Sequence, residues 1–131
     1  REMADLVERL RRARFEPYVV SASAEWLVEP FARRLGFDGA HVLGARLEED
    51  KGVLLPSVAR PFPYGPGKVD AIDRLIGRRP CFAAGDSPGD LAMLGAATDL
   101  ALVIDRGDYR VLAEARRSNW LVQPAFAVTG S

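Results

Sequence analysis

This chain has few of the residues that specialised chemistries rely on. It has one cysteine, Cys81, in 131 residues, so it can form no internal disulfide, and a single thiol says little about compartment. It has one histidine, His41, which reads as a strand or loop residue rather than a ligand. Neither charge is in excess: 18 Lys and Arg stand against 18 Asp and Glu. That balance gives no electrostatic reason to invoke nucleic acid or an anionic membrane as a partner. No apolar run approaches membrane-spanning length, and no secretory leader is visible. The compartment stays open, with the cytoplasm favoured over the periplasm. There is no internal repeat and no low-complexity segment.

What is present is ordinary for a globular protein: 48% hydrophobic and 27% charged residues, in a length that makes one domain over residues 1–131 with a real core. The arginine pairs Arg11-Arg12, Arg33-Arg34, Arg78-Arg79 and Arg116-Arg117 fall mostly near the ends of expected helices. There they complement the helix dipole rather than form a basic patch.

Periodicity supplies the element order. Met3, Leu6, Val7 and Leu10 predict an amphipathic helix over about 2–14. Tyr18-Val19-Val20 reads as a strand ending at Ser21. Ser23 is the expected cap of a second helix, with Leu27, Phe31 and Leu35 on its inner face and Gly36 as its stop. Pro30 predicts a kink or a late start in it. Residues 41–44 read as a strand, and 45–56 as an irregular hairpin. RPFPYGPG, from Arg60 to Gly67, is a loop by composition. A third helix follows, with Val69, Ile72 and Ile76 on its apolar side and Gly77 at its end. Beyond it come a strand near Cys81, a helix, a strand over Leu100–Ile104, a helix over 109–117 and a last strand at Trp120-Leu-Val. Trp26 and Trp120 are expected in or beside the core. Strands alternating with helices imply an α/β, Rossmann-like fold with a mostly parallel sheet and helices on both faces.

The stretch CFAAGDSPGDLAML, Cys81 to Leu94, carries the first chemical signal. An apolar strand breaks at a glycine and gives way to a helix. Ser87 suits an N-cap, Pro88 the first helical position, and Asp90 the third position of a capping box. Asp86 is left over, beyond the carboxyl end of a presumed parallel strand, where open α/β sheets bind ligands. Ser21 ends another strand, and Lys68 opens a helix after the glycine-rich loop. A hydroxyl, an ammonium and a carboxylate brought to one edge make a phosphate-and-metal site. Ser21 and neighbouring backbone amides, that of Ala22 among them, would donate to phosphate oxygens. Lys68 would supply compact positive charge. Asp86 would hold Mg²⁺, which binds one or two carboxylates plus substrate phosphate. Gly-Pro-Gly-Lys is not a nucleotide-binding P-loop, because Phe62 and Val69 stand where that motif needs Gly and Ser or Thr.

Taken in order, VVSASAEWLVEPFARRLGF, YGPGKVDAI and GDSPGDLAML resemble the second, third and fourth motifs of the haloacid dehalogenase-like superfamily. The likeness leans to its phosphoserine phosphatase and phosphorylcholine phosphatase-like branch, and LVQPAF near the end is similar as well. Where the phosphoserine branch carries Gly-Asp-Gly-x-Asn-Asp, this chain has Ser87 and Gly89. The resemblance implies that Ser21 binds the transferring phosphoryl group and that Lys68 neutralises it and the nucleophile. It implies Asp86 as a Mg²⁺ ligand and Asp90 as the residue that orients Lys68 or a metal-bound water. The implied substrate is a small phosphate monoester.

The family's first motif, a strand followed by Asp-x-Asp-x-Thr or Val, is absent from these 131 residues. Its first aspartate is the nucleophile, and its second is the general acid. LALVIDRGD is the nearest imitation, but its acids are three apart and follow the fourth motif. Asp105 and Asp108 therefore read as turn residues. The chain begins with Arg and is expected to be the carboxyl-terminal part of a longer enzyme, without its cap domain and inactive alone. The missing amino-terminal segment is its expected partner. In the family the absent strand lies between those ending at Ser21 and Asp86, so the sheet is expected either to show a gap there or to close up. The rival reading is a noncatalytic α/β module that binds phosphate, a nucleotide or a partner chain.

Overall fold

The computed structural model describes residues 1–125; Phe126, which closes the LVQPAF stretch, lies outside them. The chain contains two compact units, Arg1–Pro63 and Tyr64–Ser131.

In the first unit, α1 (Glu2–Arg12) leads into β1 (Val19–Ala24), α2 (Glu25–Arg34) and β2 (Val42–Ala45). A hairpin of β3 (Leu47–Asp50) and β4 (Val53–Val58) follows. β1 and β2 are parallel, with Val19 opposite Val42 and Val20 opposite Leu43. α2 packs against both strands. The core joins Val7, Ala32, Phe37 and Val42, with Val19, Val28 and Leu35 packed around them. Arg11 ties α1 to the end of α2. Its guanidinium donates to the Leu35 and Gly36 carbonyls at 3.2 and 2.7 Å and lies over the Phe37 ring.

Three expectations for this region are corrected. α2 does not turn Leu27 and Phe31 inward; they are 50% and 63% exposed, and Trp26 is 75% exposed. The helix carries two apolar stripes, and the core takes Val28, Ala32 and Leu35. Small Ala32 lets the helix sit close to the strands, where Phe31 would hold it off. Ser23 does not cap the helix: the N-cap is Ala24, with no side-chain cap bond. Pro30 does not delay the helix, which starts at Glu25 and runs through it. The carbonyl left without a helical donor belongs to the exposed Trp26, where solvent can replace the bond.

His41 ends a short 3-10 turn, Gly39–His41. Its Nδ1 is 2.6 Å from Asp38 Oδ1 and its Nε2 is 2.9 Å from Glu16 Oε1. Only an imidazolium donates from both nitrogens. The Asp38 hydrogen bond first, then that to Glu16, raises the His41 pKa above its ordinary 6.5, against a small opposing effect of burial. Because the folded pKa is raised, the stabilisation is full below the unfolded pKa and fades as pH rises through the folded one. This is the only histidine, so a proton NMR titration sees one imidazole. Its midpoint is expected above 6.5 in wild type and to fall toward that value in Asp38→Asn. A wild-type midpoint below 6.5 would refute the double ion pair.

In the second unit, α3 (Pro66–Leu75), β5 (Phe82–Gly85), α4 (Leu91–Ala96), β6 (Leu100–Asp105), α5 (Tyr109–Arg117) and β7 (Leu121–Pro124) alternate. The sheet order is β5-β6-β7, all parallel. α3 packs on α4, α4 on β5 and β6, and α5 on β6 and β7. Ile72, Leu94, Val103 and Val111 are buried between these layers. Cys81 is half-buried just before β5 rather than on it. Asp105 accepts from the Gly107 amide, and Asp108 caps α5 by accepting from the Arg110 and Val111 amides. Both act as turn and cap residues.

The fold is α/β and mostly parallel: among the described residues three strand pairings are parallel and the β3–β4 hairpin is antiparallel. Among the described residues β1 pairs only with β2, and β5 only with β6. No helix among the described residues is long and apolar enough to cross a membrane.

Candidate functional site

The second unit builds its site at the carboxyl end of β5. Gly85 pairs with Val103, so β5 stops two residues before β6 does, and the loop after Gly85 opens beside the end of β6. Ser87, Pro88 and Asp90 form the expected capping box, although its first turn, Pro88–Asp90, is 3-10 rather than α. Asp90 thus folds back over the strand end. Its Oδ2 accepts from the Asp86 and Ser87 amides at 3.0 and 3.1 Å, and from the Ser87 hydroxyl at 3.1 Å. Gly85 permits this, because a Cβ there would lie 2.6 Å from Asp90 Cβ.

The other Asp90 oxygen, Oδ1, accepts from Lys68 Nζ at 2.7 Å. Lys68 comes from the first turn of α3 and is 7% exposed; Asp90 is 5% exposed. Burial, the largest single influence, pushes the Asp90 pKa up. The Lys68 hydrogen bond and charge, with the Asp86 and Ser87 amides, outweigh it and hold the carboxyl below its ordinary range. A buried ammonium held by a buried carboxylate is an oriented charge rather than a solvated one. The glycine-rich loop is pinned to the same place: the Gly65 amide donates to the Gly89 carbonyl at 2.9 Å. A Cβ on Gly89 would come within 2.8 Å of the Tyr64 ring. An asparagine at 89 would force that ring aside, which gives a physical reason for glycine here.

Asp86 sits one residue beyond β5, with its side chain 40% exposed. Its Oδ2 accepts from Arg106 Nη1 at 3.0 Å. As a half-exposed carboxylate it suits a hard cation, and it is the more accessible acid of the site, since Asp90 is buried and fully engaged. Among the described residues no three acidic, histidine or cysteine side chains cluster as a metal site. A Mg²⁺ held at Asp86 would need its remaining oxygens from water, phosphate or further carboxylates.

Ser21 and Ala22 lie in the first unit, on β1. Regular pairing with β2 ends at Val20, but the strand resumes at Ala24 opposite Ala45, so Ser21 sits within a shifted register rather than at the strand's end. Both residues are half-buried. The Ser21 hydroxyl accepts from the Ser23 amide at 3.1 Å. Sequence reasoning missed Arg106 and Tyr64. Arg106 approaches Asp86 only through the β5–β6 register, which no local pattern encodes. Tyr64 was visible beside the glycines of its loop.

A family model for haloacid dehalogenase-like hydrolases matches residues 1–95. A probable phosphatase of Mycobacterium tuberculosis (strain ATCC 25618 / H37Rv) is 37% identical over 112 residues, covering 81% of this chain and 38% of the relative. An uncharacterized protein of M. tuberculosis (strain CDC 1551 / Oshkosh) matches to the same extent. The solved structure of a conserved functionally unknown protein from Anaerococcus prevotii DSM 20548 is similar, with a TM-score of 0.80 and 33% identity. That match covers 92% of this chain and 36% of the other. This chain thus spans well under half the length of these relatives. The model match over most of the chain, on a mostly parallel α/β fold with Lys68, Asp86 and Asp90 gathered at one strand end, places the chain in the haloacid dehalogenase-like hydrolase family.

Proposed function

We propose that the chain carries the phosphate-binding and Mg²⁺-binding part of a phosphomonoester hydrolase acting on a small phosphorylated alcohol. Its motifs lie nearest the phosphoserine and phosphorylcholine phosphatase-like branch. The observation that carries the reading is the buried Lys68–Asp90 pair, 2.7 Å apart, beside the half-exposed carboxylate of Asp86. Such a pair holds a positive charge where negative charge gathers on a phosphoryl group, without reorganisation at the moment of reaction. Lys68 orients the phosphate and the attacking carboxylate, and Asp90 fixes Lys68. Ser21 and the Ala22 amide donate to the phosphoryl oxygens. Asp86 would hold Mg²⁺, which would supply further charge neutralisation. An Asp-x-Asp segment outside these 131 residues would supply the nucleophile, whose carboxylate takes the phosphoryl group as the P–O bond to the alcohol breaks, and the general acid, which protonates the departing alkoxide; water then hydrolyses the aspartyl-phosphate to free phosphate.

The test is turnover of a generic aryl phosphate with Mg²⁺. The 131-residue chain alone is expected to match the no-enzyme control, and to gain turnover only when an Asp-x-Asp segment is joined to it. Turnover by the chain alone that Asp105→Asn abolishes and Asp86→Asn spares would overturn the reading, because the acids of LALVIDRGD would then be doing the chemistry.

A further inference from the structure

Each carboxylate of the site has its own cation: Lys68 on Asp90, and Arg106 on Asp86. The strand register brings the two residues of the second pair close together. Gly85 pairs with Val103, so Asp86 and Arg106 leave neighbouring parallel strands at the same edge. The chain at 106 is shaped by the Asp105 carboxylate, which accepts from the Gly107 amide at 2.8 Å, and by Gly107 at φ +86°. The Asp86 amide is bonded to Asp90, so the residue carrying the carboxylate is fixed as well. The guanidinium and a divalent cation want the same oxygens. With the Asp86 and Arg106 side chains 40% and 67% exposed, either can be exchanged for solvent or an ion.

We infer that Arg106 is an internal counter-cation for Asp86: it holds that carboxylate in the metal-free protein and is displaced when Mg²⁺ binds. Metal affinity is then set partly by the Arg106–Asp86 bond, which Mg²⁺ must break. The inference rests on Asp86 as a metal ligand. It adds a residue that weakens metal binding without touching the metal.

The experiment titrates Mg²⁺ alone into the 131-residue chain at low ionic strength, followed by the amide NMR shifts of Asp86 and Ser87. Arg106→Gln is expected to bind Mg²⁺ about two- to fivefold more tightly than wild type, the range an exposed ion pair is worth. Arg106→Lys, which keeps the charge, shifts it less. The advantage of Arg106→Gln shrinks as NaCl is raised, because salt screens the pair. Asp86→Asn is expected to remove binding. Arg106→Gln with unchanged or weaker Mg²⁺ affinity, while Asp86→Asn still removes it, overturns the inference and leaves the metal role of Asp86 standing. If neither wild type nor Arg106→Gln binds Mg²⁺ at millimolar concentrations, that metal role fails and takes the inference with it.

Discussion

Asp90→Ala is expected to destabilise the second unit by about 3–5 kcal/mol, the cost of leaving one half of a buried ion pair without its partner. Three further donors lose their acceptor with it: the Asp86 and Ser87 amides and the Ser87 hydroxyl. Small domains are stable by only about 5–15 kcal/mol, so the variant sits close to unfolding. Lys68→Met is expected to cost less, since the Asp90 carboxylate keeps those three donors while an apolar chain replaces the ammonium. Urea unfolding followed by Trp120 fluorescence in a Trp26→Phe background reads the second unit, because Trp120 lies against Gly95 of α4. Equal midpoints for Asp90→Ala and wild type would mean that the buried pair does not organise the strand end. The pH dependence carries the same signature. The Asp90 pKa is lowered in the folded state. Its contribution is therefore present above the unfolded value, about 3.9, and lost as pH falls through the folded one. Between pH 5 and 2 wild type should lose stability more steeply than Asp90→Asn.

The second large effect concerns turnover once an Asp-x-Asp segment completes the site. Lys68→Ala and Asp86→Ala are each expected to lower kcat by about a hundred- to a thousandfold, the usual worth of a preorganised electrostatic group. Ser21→Ala should cost less. It removes one neutral hydrogen bond, where charge-assisted ones are about twice as strong. The two large losses differ in kind. Asp86→Ala weakens metal binding and should partly recover at high Mg²⁺. Lys68→Ala removes a charge that no Mg²⁺ concentration restores. A Mg²⁺ titration of kcat for both variants separates them. Near-normal turnover in Lys68→Ala, or full recovery of it by Mg²⁺, would remove Lys68 from the chemistry.

Much of the site was legible because its signals are local. Ser87, Pro88 and Asp90 specify a capping box within four residues, and the structure forms it. The glycine before Asp86 marks the strand end, and Lys68 stands at the third position of its helix. The helix expected over 109–117 is α5, Tyr109–Arg117, although the residue that caps it, Asp108, reads in the sequence only as a turn residue. The burial of Lys68 was not legible, because a lysine in a first helical turn is ordinarily solvated. It is buried here because Asp90, 22 residues away in sequence, brings a carboxylate to meet it.

By itself, then, the sequence determined the element order, the α/β class, the family motifs and the identity of Lys68, Asp86 and Asp90 as the residues to watch. All of these depend on periods and spacings within one element or one turn. Tertiary structure alone decided which apolar stripe of α2 faces the core, where Ala32 rather than Phe31 is buried. It also decided that Asp90 binds Lys68 while Asp86 binds Arg106. The physical reason is the same in both cases. A stripe is buried only against the surface that receives it, and an acid chooses its cation by the register of the strands and helices that carry them. Neither is encoded within the span of a single turn.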